Sequence, residues 1–388
     1  MAVVIEAITA LLTLSGLAYL LLALWGARDF SHTWRRQLRG EDFAPDVSIL
    51  KPVKGVDPSM YAGLVSHCKQ DYAGRFEIIF GVGSMDDPAV AEIERLRMEF
   101  SECAIRLVEC PERLGTSGKV SNLIQMLREA SYDYVLINDS DIRVSSRYLS
   151  RVMSGFADAS VGMVTAPYIG RTGEGRSATV WSRLEALGIA TDFFPGVLTA
   201  RKLERGIRFG LGSTLAMRKV ALIKAGGLEP LVEILADDYE MGARIWKAGY
   251  RIELSDEVVE TTVPPYSFRG FVEHQLRWAR TVRDSRKLGY VGLCITYAVP
   301  WAITTCIASG FALWSFTLLS LVLLARVAVA LSVGVGILRD GQVLRDFWLL
   351  IVRDFFGLFF WAWSYANDTI VWRGERFRLH DGRLIRVD

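Results

Sequence analysis

Two carboxylates one residue apart, Asp139 and Asp141, follow closely after the apolar run Tyr134–Ile137. In an α/β sheet the ligand crevice lies at the carboxyl ends of the strands, so this pattern places both side chains at the mouth of a site. Residues i and i+2 of an extended or turning backbone point to the same side, so both carboxylates can reach one divalent cation that also holds substrate phosphates. The alternative interpretation is an acidic turn that caps the next helix, and the rest of the sequence must decide between the two.

Polar side chains also follow two other predicted strands. The first strand, Val47–Leu50, is closed by Lys51 and Pro52, and Asp87 follows the second strand. A proline cannot continue a central ladder of hydrogen bonds, so we expect the first strand to end there. Because the carboxyl ends of parallel strands share one edge of a sheet, these residues and the paired aspartates are expected to line one nucleotide crevice.

Two further segments combine reactive side chains with helical patterns. Asp237 and Asp238 open a predicted helix that runs to Lys247, and ordinary helix capping is the alternative explanation for this pair of carboxylates. The segment Phe271–Arg280 is amphipathic at helical spacing and lies just before an apolar block. For that segment the alternative is an interfacial helix with a tryptophan anchor and snorkelling arginines.

The region that must position these residues, about 46–284, alternates short apolar runs with helical patterns. This alternation predicts a mostly parallel sheet covered by helices on both faces. Neither a G-x-G-x-x-G after the first strand nor a G-x-x-x-x-G-K-[ST] motif is present, which disfavours a dinucleotide fold and a P-loop. We therefore expect phosphates to be bound by a metal ion and by isolated cationic side chains.

Composition sets limits on the kind of protein. The chain of 388 residues is 51% hydrophobic with a mean hydropathy of +0.25, values that indicate membrane segments. The net charge of +2 gives no support for nucleic-acid binding. Five cysteines without a Cys-x-x-Cys pair predict a reduced domain that has neither a disulfide framework nor a zinc site.

The N-terminal stretch Ala2–Trp25 has Glu6 as its single charged residue and is long enough to cross a bilayer. Basic residues before it and a small-residue cleavage site are missing, so an uncleaved anchor is favoured over a signal peptide. The basic residues that follow it are Arg28, Arg35, Arg36 and Arg39. By the positive-inside rule, the N-terminus is predicted to lie outside and the following domain in the cytoplasm.

A second apolar block runs from about residue 288 to residue 366. Tyr290–Gly310 lacks charge and Phe311–Leu338 carries a single arginine, so two crossings joined by a tight hairpin are expected. The third segment, Phe347–Ala366, contains an Arg-Asp pair in its first half. If all these segments crossed, the basic C-terminal tail would lie outside against the usual charge bias, so a partial or re-entrant insertion is predicted for the third.

In their fixed order these pieces resemble the ceramide glucosyltransferase-like family of inverting membrane glycosyltransferases, which have a GT-A fold. The matching motifs are Leu50–Pro58, Asp86–Ala89, Gly115–Leu123, Asp139–Arg143 and His274–Trp278. With the N-terminal anchor and the C-terminal block, the resemblance covers nearly the whole chain. A bacterial branch associated with hopanoid biosynthesis, which transfers N-acetylglucosamine to a phospholipid headgroup, shares these motifs, and the motifs do not separate the two.

The resemblance implies a role for each site residue. The residues implied to bind the nucleotide sugar, with the second Asp of Asp86–Ala89 on the uridine, are Lys51, Pro52, Asp87, Lys119 and Asp139. The residues implied to close over the diphosphate and the acceptor are His274, Arg277 and Trp278. Asp139 and Asp141 would hold Mg²⁺ or Mn²⁺ on the diphosphate. Asp238, with Asp237, would be the general base that takes the acceptor hydroxyl's proton.

Two features depart from the family's pattern. The eukaryotic ceramide enzymes have a less complete acidic pair where this chain has Asp139 and Asp141, so metal dependence is expected to be firmer here. Their final motif usually has Gln or Arg at the position of His274, which leaves the identity of the acceptor open.

The expected function is metal-assisted transfer of a hexose, glucose or N-acetylglucosamine, from a UDP-sugar to the hydroxyl of a membrane lipid such as ceramide. Transfer of N-acetylglucosamine to a phospholipid headgroup is the first alternative. A polysaccharide synthase that also secretes its chain is an alternative of another class, but it needs more crossings than three or four to line a channel. A non-enzymatic scaffold is disfavoured, because it has no need to keep like charges together.

The expected organisation follows from these segments. The predicted parts are an anchor at 1–27, a basic linker at 28–45, a cytoplasmic GT-A domain at 46–286, a membrane block at 287–366 and a basic tail at 367–388. We therefore expect a multi-pass protein, with a bacterial inner membrane as its location and the lipid bilayer, a UDP-sugar and a lipid acceptor as its partners.

Overall fold

A computed structural model of the chain describes residues 1–37, 43–57, 59–173, 178–372 and 375–387. The chain divides into two compact units. The sheet unit, as we call it, consists of Trp34–Arg171 and Glu204–Thr262. The membrane unit consists of Met1–Thr33, Thr172–Leu203 and Val263–Asp388.

This division differs from the predicted organisation. The predicted domain 46–286 extends over both units, because residues 172–203 and 263–286 group with the N-terminal helix and the C-terminal block. The assignment of separate functions to the five predicted parts stays a prediction. Arg39 of the predicted linker and Pro58 of the first motif lie outside the described residues.

The secondary structure alternates strands and helices in the first half of the chain and is mainly helical in the second. The helices are α1 (Ala2–Gln37), α2 (Met60–Cys68), α3 (Ala89–Glu99), α4 (Gly118–Glu129), α5 (Tyr148–Ser154), α6 (Val180–Gly188), α7 (Phe194–Leu203), α8 (Lys219–Lys224), α9 (Asp237–Lys247), α10 (Phe268–Ser285), α11 (Lys287–Thr296), α12 (Ala298–Ala308), α13 (Leu313–Val329), α14 (Gln342–Arg345) and α15 (Leu350–Trp363). The strands are β1 (Val47–Pro52), β2 (Phe76–Val82), β3 (Ala104–Glu109), β4 (Tyr134–Ile137), β5 (Val161–Thr165), β6 (Tyr168–Thr172), β7 (Leu215–Arg218), β8 (Arg251–Leu254), β9 (Val259–Val263), β10 (Thr369–Trp372), β11 (Glu375–His380) and β12 (Arg383–Arg386).

Seven strands of the sheet unit form one sheet in the order β3-β2-β1-β4-β7-β5-β8. Strands β3, β2, β1 and β4 are parallel, β7 is antiparallel to both of its neighbours, and β8 is parallel to β5. Strands β6 and β9 form a separate pair. The sheet unit is therefore an α/β domain with a mostly parallel sheet, as predicted, and its parallel strands end at one edge.

The central strands are buried on both faces of the sheet. Phe80 of β2 packs in the core with Ile93 of α3. Its neighbour Gly81 faces α4, where an added Cβ would lie 2.3 Å from the sulfur of Met126. Successive strand residues point to opposite faces, so helices cover both sides and the central parallel strands are mainly apolar.

Three helices in the described part of the membrane unit are long and apolar enough to cross a membrane: Ala2–Thr33, Leu313–Ile337 and Phe347–Ala366. A fourth candidate is the pair α11 and α12, which is bent by 56° at Tyr297. The predicted anchor and C-terminal block are thus helical, and the first predicted crossing of that block is a broken helix.

Helix α1 packs closely along α12. The hydroxyls of Thr13 and Thr305 lie 3.0 Å apart, and a Cβ added to Gly16 would come within 2.6 Å of the Cβ of Ala298. Small residues let two apolar helices approach each other closely, and van der Waals contact then stabilises their pairing.

The C-terminal tail, predicted only as basic, forms the antiparallel sheet β10-β11-β12. Its inner face buries Ile370, Phe377, Leu379 and Leu384. The short strands, separated by few residues, gave too weak a pattern for this sheet to be predicted.

We predict that Gly16→Leu destabilises the membrane unit by about 1–3 kcal/mol, because the larger side chain overfills the contact with α12. Gly292→Leu is the matched control, since a Cβ at Gly292 of α11 meets nothing within 4 Å. Thermal unfolding in detergent measures the effect. Equal unfolding temperatures for the two variants would contradict this packing.

Candidate active site

The side chain of Lys119, in the first turn of α4, lies between two of the predicted carboxylates. Its Nζ is 2.7 Å from Oδ1 of Asp139, which follows β4, and 3.7 Å from Oδ2 of Asp237, which begins α9. Burial alone would lower the pKa of Lys119, but these carboxylates outweigh it and raise the pKa above its usual range. The ion pairs therefore join the ends of three separate elements.

The second carboxylate of α9, Asp238, lies beside this cluster. Burial, and then the negative charge of Asp237, raise the pKa of Asp238 to about 6. Burial and the charge of Asp139 also raise the pKa of Asp237, whose Oδ2 is buried and has no hydrogen-bond partner among the described residues. Two adjacent carboxylates of raised pKa, one with an oxygen free of hydrogen bonds, are ready to accept a proton or a cation.

A glycine-containing loop before β7 makes room for Asp238. A Cβ added to Gly212 would lie 2.8 Å from Oδ2 of Asp238, and one added to Gly210 would lie 2.7 Å from its carbonyl oxygen. Phe209 of the same loop stacks on the ring of Tyr239, with centroids 5.6 Å apart. The backbone of this loop thus sets the position of the Asp238 carboxylate.

The two aspartates after β4 differ in their surroundings. The Asp139 side chain is 42% exposed, whereas Oδ2 of Asp141 accepts a hydrogen bond of 2.6 Å from the hydroxyl of Thr261. Burial, and then the charge of Asp139, raise the pKa of Asp141 above its usual range. The two carboxylates are therefore close enough to interact, as a shared cation requires.

Asp139 and Asp141 carry hard oxygen donors of the kind that Mg²⁺ or Mn²⁺ prefers. Among the described residues, no three or more His, Cys, Asp and Glu side chains converge as a metal site. A cation held by Asp139 and Asp141 would therefore take its other ligands from phosphate and water oxygens, which is the usual arrangement for Mg²⁺ at nucleotide sites.

Lys51, predicted to bind the nucleotide sugar, is fully buried at the end of β1. Its Nζ donates a hydrogen bond of 3.0 Å to the carbonyl oxygen of Asp139 and lies 3.4 Å from Nε2 of His67. Burial lowers its pKa to about 7. The contact made by Lys51 is with the backbone of the acidic motif, and Pro52 beside it is the last residue paired with β2.

Asn138, which sequence reasoning missed, supports the same turn through hydrogen bonds of its side chain. Its buried amide donates to the carbonyl of Ser213 at 2.6 Å and to the hydroxyl of Tyr148 at 2.9 Å, and its oxygen lies 3.3 Å from Nε2 of His67. The sequence feature that could have indicated this role is a polar residue at the end of an apolar strand. This feature does not identify the partners of Asn138, because they are distant in sequence.

Asp87 connects the loop after β1 to the start of α3. Its carboxylate accepts hydrogen bonds of 2.9 and 3.1 Å from the amide of Gly55 and one of 2.9 Å from the amide of Ala89. Gly55 has a φ of +70°, a conformation that glycine adopts without strain. The two loops at the strand ends are therefore joined, and uridine binding by Asp87 remains a prediction.

The other predicted residues, His274, Arg277 and Trp278, lie together on α10 in the membrane unit. Nδ1 of His274 is 3.2 Å from Nη2 of Arg277, and the rings of His274 and Trp278 are 5.6 Å apart. Nε2 of His274 is 3.1 Å from Oε1 of Glu185 on α6. Sequence reasoning missed Glu185, because a single acidic residue in an apolar helix does not reveal its partner.

The chain is similar to known glycosyltransferases. A model of Glycosyl transferase family 21 matches residues 8–385. Ceramide glucosyltransferase 1 of Caenorhabditis elegans is 25% identical over 354 residues, which are 88% of this chain and 73% of that protein. An N-acetylglucosaminyltransferase of Bradyrhizobium diazoefficiens is 26% identical over 261 residues, which are 64% of this chain and 51% of that protein. Both relatives extend beyond the matched stretch.

A solved structure shares the fold. The mannosyltransferase PcManGT from Pyrobaculum calidifontis, in complex with GDP-Man and Mn²⁺, superposes with a TM-score of 0.55 at 21% identity. The superposition covers 93% of this chain and 99% of that one. The predicted GT-A fold is thereby confirmed.

Proposed function

Because this chain belongs to glycosyl transferase family 21, we propose that it transfers a hexose from a UDP-sugar to the hydroxyl of a membrane lipid such as ceramide, with inversion. The observation that carries the proposal is the cluster of Lys119, Asp139 and Asp237 at the edge where the parallel strands end. A cation opposes the negative charge of a diphosphate. A carboxylate can remove a proton from the acceptor. The candidate membrane helices would anchor the protein in the bilayer that contains the lipid acceptor.

The leaving diphosphate is stabilised by positive charge. Negative charge develops on its oxygens as the sugar leaves, and preorganised cations oppose that charge most effectively. Lys119 remains an ammonium at neutral pH, because neighbouring carboxylates raise its pKa, and we propose Arg277 as a second cation. Mg²⁺ or Mn²⁺ held by Asp139 and Asp141 would neutralise further charge on the diphosphate.

Asp238 is the proposed general base. A carboxylate with a pKa raised to about 6 is still mostly ionised at neutral pH and is more basic than an ordinary aspartate. It would take the proton from the acceptor hydroxyl as the oxygen attacks the anomeric carbon from the face opposite the diphosphate. A single displacement of this kind gives a β-linked product from an α-linked donor.

The alternative, transfer of N-acetylglucosamine to a phospholipid headgroup, has support for its donor sugar. The Bradyrhizobium relative is named an N-acetylglucosaminyltransferase. A polysaccharide synthase is less well supported, because at most four candidate crossings are found in the described part of the chain.

The end of the chain is tied to α10, which supports a specific membrane topology. Arg283 of α10 donates to the carbonyl of Ser364 and to the carboxylate of Asp368, and Lys287 pairs with Asp381 at 2.7 Å. The block at 287–366 therefore begins and ends beside one amphipathic helix. We propose that it crosses the membrane an even number of times.

Phe347–Ala366 is the segment proposed not to cross. Just before it, Asp346 accepts hydrogen bonds from Arg183 of α6. The rings of Phe356 and Phe360 lie 5.8 and 5.7 Å from that of Phe271 on α10. An apolar helix held along an amphipathic one fits the interfacial or re-entrant position predicted from charge bias.

The resulting topology has an outside N-terminus and three crossings, formed by α1, by the α11–α12 pair and by α13. The sheet unit and the C-terminal sheet then lie on the cytoplasmic side, where UDP-sugars are made and where basic flanks are favoured. A bacterial inner membrane is the proposed location.

Cysteine labelling tests this topology. In a background in which the five native cysteines are replaced, His380→Cys should react with a membrane-impermeant maleimide only from the cytoplasmic side. Phe311→Cys, between α12 and α13 and 61% exposed, should react only from the opposite side. Labelling of both from one side would overturn the even number of crossings.

The assigned chemistry predicts that Asp238→Asn lowers kcat/KM by about 10²- to 10⁴-fold, because the general base is lost while the shape is kept. Transfer from labelled UDP-glucose, UDP-galactose and UDP-N-acetylglucosamine to ceramide, diacylglycerol and phospholipid, with Mn²⁺, Mg²⁺ or chelator, measures the effect.

Asp86→Asn is the matched control, since Asp86 is exposed beside Asp87 and should keep full activity. Retained activity in Asp238→Asn would remove the general-base role. A long soluble polymer as product would replace lipid transfer by polymer synthesis.

A further inference from the structure

A buried carboxylate, Glu185, lies behind the His274 motif in the membrane unit. Its side chain is 5% exposed, and both of its oxygens are engaged: Oε1 with Nε2 of His274 at 3.1 Å and Oε2 with the amide of Gln275. Burial raises its pKa, but His274, Arg353 and Arg277 outweigh this effect and hold the pKa below its usual range. Glu185 is therefore an anion at neutral pH.

The hydrogen-bond partners determine the form of His274. A guanidinium can only donate, so Nδ1 of His274, 3.2 Å from Nη2 of Arg277, must be the unprotonated nitrogen. The hydroxyl of Tyr266 also lies 3.2 Å from Nδ1 and can donate to it. Nε2 then carries the proton and donates it to Glu185. The imidazole thus connects a carboxylate to a guanidinium.

From this geometry we infer that Glu185 and His274 are positioning residues for Arg277. Glu185 fixes the tautomer and the ring orientation of His274, and Nδ1 of His274 holds the guanidinium of Arg277. The inference deepens the proposed function, on which it rests, since Arg277 is the proposed cation for the diphosphate. It replaces the expected direct contact of His274 with the acceptor.

A chain of hydrogen bonds and ion pairs holds Glu185 and Gln275 in place. Arg353 donates to Gln275 at 2.6 Å and to Asp192 at 2.8 Å. Arg326 of α13 lies between Asp192 at 2.5 Å and Asp354 at 2.8 Å. Ionisable groups inside an apolar bundle are costly, and removing one leaves its partner uncompensated. The chain therefore connects the membrane helices to α10.

Three variants separate positioning from acceptor contact. His274→Gln keeps an oxygen that can accept from Arg277 and an amide that can donate to Glu185, whereas His274→Leu keeps neither. Glu185→Gln removes the charge at nearly constant shape. The matched control is Glu273→Gln, because Glu273 is the neighbouring residue on α10 and pairs with the exposed Arg269.

We expect His274→Leu and Glu185→Gln to weaken UDP binding about tenfold, the loss of one charge-assisted hydrogen bond at the diphosphate, with the KM for the lipid acceptor unchanged. His274→Gln should restore UDP affinity to within about threefold of the unaltered chain, and Glu273→Gln should not change it. Calorimetry with UDP and Mn²⁺ in detergent, with unfolding temperatures for each variant, makes the measurement.

A raised acceptor KM with unchanged UDP affinity would overturn the inference and assign His274 to the acceptor. An equal loss of UDP affinity in His274→Gln and His274→Leu, with normal unfolding temperatures, would also overturn the inference. UDP binding does not depend on turnover. Failure to transfer sugar to any lipid would therefore remove the proposed acceptor class while the order of UDP affinities still decides the positioning role.

Discussion

The placement of one ammonium group among several carboxylates is the constraint on which the site depends. Asp139, Asp237 and Asp238 come from two separate elements, and their mutual repulsion with burial raises the pKa of both α9 carboxylates. Lys119, with Nζ 2.7 Å from Asp139 and 3.7 Å from Asp237, supplies the opposing charge. The same ammonium is the proposed cation for the diphosphate. One side chain therefore both compensates the charge of the carboxylates and is proposed to bind the substrate.

In the sheet unit, the candidate site residues that follow the ends of strands could be predicted from the sequence. β4 is a short apolar run that ends in Asp139 and Asp141, and parallel strands must deliver such residues to one edge. The support beneath that edge was not predictable. Asn138 bonds to Ser213, 75 residues away, and a period or motif carries no information about such a pairing.

The membrane unit was less predictable, because apolar helices give a strong pattern for their existence and a weak one for their partners. The anchor and the apolar block were confirmed as helices, yet the grouping of residues 172–203 with them was not foreseen. Glu185 illustrates the reason. Its role depends on contact with His274, 89 positions later, and local sequence around either residue does not encode that contact.

The binding of UDP to Lys119→Met, measured by calorimetry at saturating Mn²⁺, tests whether the ammonium of Lys119 binds the diphosphate. Arg128→Met is the control, since Arg128 is a cation at the exposed far end of α4, 62% exposed. We predict that Lys119→Met binds UDP at least about tenfold more weakly, because a charge-assisted hydrogen bond is lost, and that Arg128→Met does not differ from the unaltered chain. Equal UDP affinity in Lys119→Met and the unaltered chain would contradict it.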